Sequence, residues 1–246
     1  MDVLLDGLRQ AVRLLLTGDE GTWAITALTL RVSLTATALA LLLGVPLGTA
    51  LALGRFPGRG VLLAAANTGM GLPPVVVGLF VTVLLWRSGP LGAFGLLYTS
   101  TAMVIAQALI ATPIVSALTA TALQQVDPDF LPQMRALGAT RARALRALLA
   151  EARLPLLAAG LAGFGAVVSE VGAAQMVGGN IQGETRVLTT AAVLATSRGQ
   201  FALAIAFGLV LLALAFAVNL VVTVVQQRDG RSAPIRSSPS ARSTPS

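Results

Sequence analysis

The chain has 246 residues, of which 55% are hydrophobic and 11% are charged, whereas about a quarter of the residues are charged in an ordinary soluble domain. All 17 basic residues are arginine, ten residues are acidic, and histidine, cysteine and lysine are absent from the sequence. This composition excludes a soluble globular domain, disulfides, His- or Cys-based metal sites and His-based catalysis. We expect an integral membrane protein that is not an enzyme by itself.

Residues 1–21 carry apolar side chains at helical spacing before the first long apolar run. These side chains are Leu4, Leu5, Leu8, Val12, Leu15 and Leu16. Asp2 and Asp6 stand where a signal peptide would have basic residues. The pattern therefore predicts an amphipathic helix that either lies on the outer membrane face or packs against the other helices.

Five apolar runs are long enough to cross a hydrocarbon core of about 30 Å. They predict transmembrane helices near residues 28–54, 61–86, 96–123, 154–178 and 202–226 within a permease domain that spans 22–227. Eleven arginines follow the first, third and fifth spans, against five on the opposite side. Because cytoplasmic segments carry the arginine excess, we expect the N-terminus outside and the C-terminus in the cytoplasm. The Ser-, Pro- and Arg-rich tail 228–246 is expected to be disordered.

The cytoplasmic connection 124–151 predicts two short helices. Asp127-Pro128 is a favourable helix start, Gly138 suits the left-handed conformation that ends a helix, and Thr140 can cap the next one. The apolar positions of the first helix share one face at i, i+4 and i+7: Phe130, Met134 and Leu137. A short amphipathic helix of this kind is suited to dock in a partner's groove, although a helix that lies on lipid headgroups has the same pattern.

Two ionisable residues and one proline pair distinguish the predicted spans. Glu170 is the only carboxylate within a span, and Arg31 lies in or at the edge of the first span. A salt bridge between them would act as a structural clamp, and a snorkelling Arg31 is the alternative. Two adjacent prolines, Pro73 and Pro74, are hard to explain as ordinary packing in mid-span, so they predict a bend on a path that opens and closes.

The segments 135–140 and 151–153 resemble the cytoplasmic signature loop of type I ABC-importer permeases. That loop reads Glu-Ala-Ala, three residues, Gly, nine residues, Ile-x-Leu-Pro. Gly138 matches the glycine, whereas Pro132, Gln133 and Met134 replace Glu-Ala-Ala, and only the first of the later positions is similar. The segments that resemble oxyanion permeases, with tungstate permeases most similar and molybdate and sulfate relatives next, are 29–34, 44–48, 71–78, 169–173 and 178–186.

The resemblance implies an all-α membrane protein with the type I permease fold, five transmembrane helices and a cytoplasmic coupling helix. It implies a homodimer in the inner membrane that works with two ABC ATPase subunits and an extracytoplasmic oxyanion-binding protein, and no nucleic-acid partner. ATP and Mg would bind the ATPase, because this chain has no phosphate-binding loop and no lysine, and no cofactor is expected on the chain itself. The alternatives are a molybdate or sulfate importer permease and an ion-coupled secondary carrier.

The same resemblance assigns three sets of candidate site residues. The ATPase-coupling set is Phe130, Met134, Leu137, Gly138 and Ala139. The translocation path or gate is Pro73, Pro74, Arg31 and Glu170. The loop 178–200, with a short helix over 185–197, either docks the binding protein or merely joins two helices, and its docking residues would be Gly179, Asn180, Gly183, Thr185 and Arg186.

Overall fold

The computed structural model describes residues 2–16 and 20–230, and within these ranges the chain forms helices and no strands. In chain order the helices are α1 (Asp2–Leu16), α2 (Glu20–Leu53), α3 (Arg59–Met70), α4 (Pro74–Leu85), α5 (Ser100–Gln124), α6 (Phe130–Ala136), α7 (Arg141–Glu151), α8 (Arg153–Val168), α9 (Gly172–Gly178), α10 (Leu188–Ser197) and α11 (Phe201–Gly230). A single 3-10 turn, Gly92–Phe94, lies in the connection that precedes α5.

Three helices are each long and apolar enough to cross a membrane: α2, α5 and α11. Two bent pairs, α3 with α4 and α7 with α8, raise the number of candidate spans to five among the described residues. The all-α architecture is therefore confirmed, and the five expected spans lie at the upper end of the three to five candidates, two of which are bent helix pairs.

The first span is longer than predicted, because α2 starts at Glu20 and not near residue 28. Its 34 residues extend about 50 Å, well beyond the hydrocarbon thickness. The predicted bounds concerned the membrane-crossing part, and α2 continues for about two turns before them.

The core of the bundle is the close contact between α2 and α5. Gly44 lies so near α5 that a Cβ atom there would come within 2.8 Å of Val115 Cβ. One turn further on, a Cβ atom at Gly48 would collide with the carbonyl oxygen of Ser116 and with the Thr119 side chain. Glycine lets two membrane helices approach to backbone contact, where van der Waals packing holds them together.

The predicted second span, 61–86, is interrupted and turns sharply. Helix α3 ends at Met70, α4 begins at Pro74, and the two axes differ by 104°. A residue that precedes proline is pushed out of the α region, and both Leu72 and Pro73 precede one. Pro73 accordingly has extended backbone angles, φ −61° and ψ 121°. The proline pair thus ends one helix and starts another, where a single bent helix was expected.

The predicted fourth span, 154–178, is also interrupted. Helix α8 ends at Val168, and α9 starts at Gly172 after a three-residue break that contains Glu170. Glu170 was the one interruption of this apolar run in the sequence, and the prediction carried the span through it as a single helix. Helix α8 is also bent by 68° from α7, which follows α6 in the connection between α5 and α8.

The N-terminal helix α1 packs against α11 at the edge of the bundle. Its Gly7 and Ala11 are buried, and Gly7 faces Ile205 so closely that a Cβ atom would come within 2.5 Å of Ile205 Cγ2. Its apolar side chains at Leu4, Leu5, Leu8 and Val12 are exposed. The packed position is the second of the two that the amphipathic pattern allows. The expected disordered tail lies, from residue 231 onward, outside the described residues, and residues 228–230 continue α11.

Candidate translocation path and coupling surface

The two interrupted spans lie against each other. A Cβ atom at Gly78 of α4 would come within 2.6 Å of the Ala173 Cα atom in α9. A Cβ atom at Gly172 would come within 2.6 Å of Val75 Cγ2, one residue after the proline pair. The bend at Pro73-Pro74 and the break at Glu170 are therefore neighbours in space. Irregular backbone at membrane depth is tolerated where it is buried in protein or lines a cavity, so this junction is a candidate part of the path.

Glu170 serves as a cap for α9 within this junction. Its side chain is buried, and its Oε1 accepts a hydrogen bond of 2.8 Å from the backbone N–H of Ala173. Its backbone carbonyl oxygen accepts a 3.0 Å hydrogen bond from the Thr189 hydroxyl of α10. A carboxylate at the start of a helix satisfies unpaired N–H groups and lies at the positive end of the helix dipole. Glu170 thus joins α8, α9 and α10.

The suggested clamp between Arg31 and Glu170 is absent from this structure. Arg31 is exposed on α2, and no ion pair joins it to Glu170 in the described part of the chain. The Thr35 hydroxyl donates a hydrogen bond to the Arg31 carbonyl oxygen, which is a contact within one helix. The clamp was inferred from opposite charge alone, and opposite charge does not specify proximity. The structure brings Pro73, Pro74 and Glu170 together and leaves Arg31 apart.

Helix α6 packs against the ends of neighbouring helices at one end of the bundle. Phe130 and Leu131 pack against a buried cluster that contains Leu123 of α5, Leu148 of α7 and Ala152 before α8. The Asp127 carboxylate accepts a 2.9 Å hydrogen bond from the Asp129 N–H, which forms the turn that leads into α6. Helix α6 therefore contacts the cluster that lies at the end of α5 and at the start of α8.

The predicted apolar face of α6 is divided. Phe130 faces the bundle, Met134 and Ala139 are half-buried, and Leu137 is 83% exposed. The i, i+4, i+7 spacing places residues on one face only while the helix continues, and α6 ends at Ala136. Gly138 has the expected left-handed conformation with φ +82°, and open space surrounds it. The Thr140 hydroxyl accepts from the Arg143 N–H, as expected of a cap.

The loop 178–188 is held together by hydrogen bonds between its own residues. The Thr185 hydroxyl donates to the Gly178 carbonyl oxygen and accepts a 2.9 Å bond from the Ile181 N–H, and the Thr185 side chain is 1% exposed. The loop is connected to α2 through Thr29, whose hydroxyl accepts a 2.9 Å hydrogen bond from the Leu188 N–H. The helix predicted over 185–197 begins at Leu188, because residues 181–185 form a hydrogen-bonded turn.

Arg186 donates hydrogen bonds to its neighbours within this loop. Arg186 Nε donates to Asn180 Oδ1 at 3.1 Å, and its two other nitrogens reach the Asn180 carbonyl oxygen and Gln182 Oε1 at 3.3 Å. Gly179, Asn180 and Gly183 have positive φ angles. Of the predicted docking residues, Gly179 and Gly183 are exposed, Asn180 and Arg186 are half-buried, and Thr185 is internal. Their role in docking stays a prediction.

Sequence reasoning missed three residues that build these surfaces: Ala173, Leu131 and Tyr98. Ala173 packs on Gly78 and joins the interrupted spans, and Leu131 packs α6 against its buried cluster. Tyr98 donates its N–H to the Val177 carbonyl oxygen at 2.8 Å and covers Gly179. The repeated small residues in 71–78 and 172–174 were a signal for close helix contact, whereas Tyr98 carried no signal that sequence alone could provide.

The sequence profile of the family described as binding-protein-dependent transport system inner membrane component matches residues 44–229. The tungstate uptake system permease protein TupB of Peptoclostridium acidaminophilum is 37% identical over 92% of this chain and 100% of that protein. A probable anion ABC transporter permease protein of Haloferax volcanii is 41% identical over 80% of this chain and 87% of its own length.

The fold is similar to that of a chain in the inward-facing MetNI methionine ABC transporter. That chain superposes with a TM-score of 0.64 at 22% identity, and the match covers 89% of this chain and 97% of the other. At this level of identity the likeness concerns the fold alone, which is that of type I ABC-importer permeases. With the profile match over residues 44–229, the chain belongs to the family of binding-protein-dependent transport system inner membrane components.

Proposed function

We propose that this chain is the membrane-spanning subunit of an ATP-driven tungstate importer. It would receive the anion from an extracytoplasmic binding protein and pass it between two copies of the chain. Two ATPase subunits, which would bind the ATP and Mg, would drive the cycle from the cytoplasm. The N-terminus would lie outside and the C-terminus in the cytoplasm, in agreement with the arginine distribution.

The packing of α6 is the observation that supports ATP-driven transport. A seven-residue helix on the arginine-rich side packs on α5, α7 and α8 through Phe130 and Leu131. Leu137 and Gly138 next to it are exposed. An exposed apolar side chain on a short helix that is rigidly connected to two spans suits a contact that moves those spans when a partner closes.

The ion-coupled carrier is the weaker alternative because the spans offer no titrating relay. Among the residues whose side chains the structure describes, Glu170 is the one buried carboxylate, and it is engaged by the Ala173 N–H as a helix cap. Proton- or ion-coupled carriers use chains of acidic or basic groups within the membrane. Energy would therefore have to enter this chain from outside the bilayer.

The relatives favour tungstate as the substrate, and the structure is compatible with weak binding of the anion by this chain. A relative 37% identical over nearly the whole chain is named as a tungstate permease. The interrupted junction exposes the first turn of α4, with Leu72, Val75 and Val76 on its surface. This turn offers few donors, because Pro73 and Pro74 have no N–H and the Val76 N–H donates to the Pro73 carbonyl oxygen, so strong selectivity would reside in the binding protein. Molybdate or sulfate would use the same mechanism.

The test is uptake by proteoliposomes that contain the permease with its ATPase, supplied with the binding protein. We expect ATP-dependent tungstate uptake that molybdate and sulfate inhibit only weakly. Leu137→Asp should lower uptake about tenfold or more and weaken co-purification of the ATPase, because a charge enters an apolar contact. Gly138→Asp should act in the same direction.

The matched control is Ala142→Asp, which adds the same charge to an exposed position on the neighbouring helix α7. Its uptake should be unchanged. Uptake that needs an ion gradient and no ATPase would contradict the proposed mechanism. Stronger inhibition by molybdate or sulfate than by unlabelled tungstate would change the substrate and leave the mechanism in place.

A further inference from the structure

A cavity of about 390 Å³ lies among α2, α10 and α11 on the side expected to be outside, which is within the size range of small-ligand sites. Its polar lining includes Arg186, Arg198 and Gln200, and its apolar lining includes Leu194, Leu203 and Phe207. Arg198 and Gln200 lie in the turn between α10 and α11, whereas Phe207 is about 10 Å further along α11. The cavity is therefore cationic near the expected membrane surface and apolar toward the bilayer.

The two arginines of this cavity lack an anionic partner among the described residues. The hydrogen-bond acceptors of Arg186 are neutral: Asn180 Oδ1, the Asn180 carbonyl oxygen and Gln182 Oε1. The ion pair between Arg9 and Asp6 involves neither of the cavity's two arginines. Two guanidinium groups that line one cavity repel each other, and an anion between them would remove that repulsion and supply acceptor oxygens.

The apolar lining decides which oxyanion fits. A free tetrahedral oxyanion needs hydrogen-bond donors on all sides, and Leu194, Leu203 and Phe207 provide none. A phospholipid carries a phosphate joined to acyl chains, so one molecule can satisfy both halves of the lining. Helix α11 forms part of the wall and is mostly exposed on the bundle surface, so lipid can reach the cavity from the side.

We propose that this cavity binds an anionic phospholipid, with the headgroup phosphate on Arg186 and Arg198 and an acyl chain over Leu203 and Phe207. The bound lipid would fill the space between the outer loop and α11. The inference depends on the membrane location of the chain and not on which anion it transports. A failure of the tungstate proposal would therefore leave it unaffected.

The test titrates the purified complex of permease and ATPase with phosphatidylglycerol and counts retained lipid by native mass spectrometry. Arg198→Gln should weaken retention about tenfold, because one charge-assisted contact to the phosphate is lost. Arg198→Lys keeps the charge and should retain most of the binding. The matched control Arg87→Gln removes an exposed arginine of the same expected side that lies outside this cavity, and it should bind as the unchanged protein does.

Two further measurements distinguish a lipid phosphate from a free oxyanion and exclude misfolding as the cause of lost binding. Inorganic phosphate or tungstate at millimolar concentration should not displace the lipid; displacement would make a free oxyanion the ligand and overturn the proposal. Leu203→Gln alters only the apolar half and should also reduce retention. Equal retention by Arg198→Gln and Arg87→Gln in complexes that still contain the ATPase would overturn it as well.

Discussion

Helices α2 and α5 each contain an internal proline and remain continuous, whereas the second span breaks at its prolines. Pro46 lies inside the 34 residues of α2, and Pro113 lies inside α5. A single proline removes one backbone hydrogen bond, which packing can offset. At Pro73-Pro74 two successive residues are excluded from the α region, and no helix can pass through. The number of consecutive prolines, more than their presence, determines where this bundle bends.

The two regions also differ in how they are packed. The α2–α5 pair is held by glycines against side chains of a continuous helix, over a long contact. The α4–α9 pair is held by Gly78 and Gly172 next to two chain breaks. We expect the first pair to be rigid and the second to contain the joints, and four experiments would break or sharpen this comparison.

The largest effect should come from Gly48→Leu in the rigid pair. The new side chain would meet the Ser116 carbonyl oxygen and Thr119, so we expect a loss of about 3 kcal/mol in the free energy of unfolding. Thermal denaturation in detergent measures this loss. Gly208→Leu is the control, since a Cβ atom there meets nothing within 4 Å. Similar melting of both variants would show that the α2–α5 contact does not hold the bundle together.

The double substitution Pro73→Ala with Pro74→Ala should straighten the second span. Spin labels at Leu62 and Val83, which are both exposed, should then move about 10 Å further apart, and uptake should fall about tenfold. The absence of native cysteine allows the labels to be placed on introduced cysteines. Pro73→Ala alone leaves a single proline, as at Pro46 and Pro113, and should therefore reduce the bend as well, by less than the double substitution. An unchanged distance in the double variant would assign the bend to Gly71 and to packing.

We expect Glu170 to act as a helix cap, with no role for its negative charge in transport. Glu170→Gln retains an oxygen that can accept from the Ala173 N–H, so uptake and melting temperature should stay near those of the unchanged protein. Glu170→Ala removes the acceptor and should cost about 1 kcal/mol in the free energy of unfolding. Loss of uptake in Glu170→Gln, with normal melting, would mean that the negative charge itself has a role.

The smallest effect is expected for Pro46→Ala in the continuous helix α2. Restoring the N–H should stabilise the protein by less than about 1 kcal/mol. The distance between labels at Ala38 and Leu53, both exposed, should not change, because α2 is already unbroken there. A measurable lengthening would show that Pro46 kinks α2 and would weaken the contrast with the second span.

Local features of this chain could be predicted from sequence because their causes are local. Gly138 is left-handed, Thr140 caps α7, and the long apolar runs are helices, since each depends on residues within one or two turns. The limits of α6 were harder to predict, because the apolar periodicity continues to Leu137 while the helix ends at Ala136. Periodicity indicates a face but does not say where the helix stops.

Features that depend on distant residues could not be predicted. The break at Glu170 is stabilised by Thr189 and by α4, and the Thr29–Leu188 hydrogen bond joins residues 159 positions apart. The meeting of the two interrupted spans requires the fold of the whole bundle. The Arg31–Glu170 pairing was wrong for the same reason, because charge carries no information about which helices are neighbours.

The hydrogen bond from Tyr98 to Val177 has a consequence for how transport can be observed. It joins the segment before α5 to the end of α9, and the loop 178–188 then joins α9 to α2. These hydrogen bonds connect α2, α5 and α9 at one end of the bundle within a single copy. Fluorescent reporters placed on two of these ends of the same copy should give a constant signal during turnover. Reporters on the equivalent ends of two different copies should detect opening and closing.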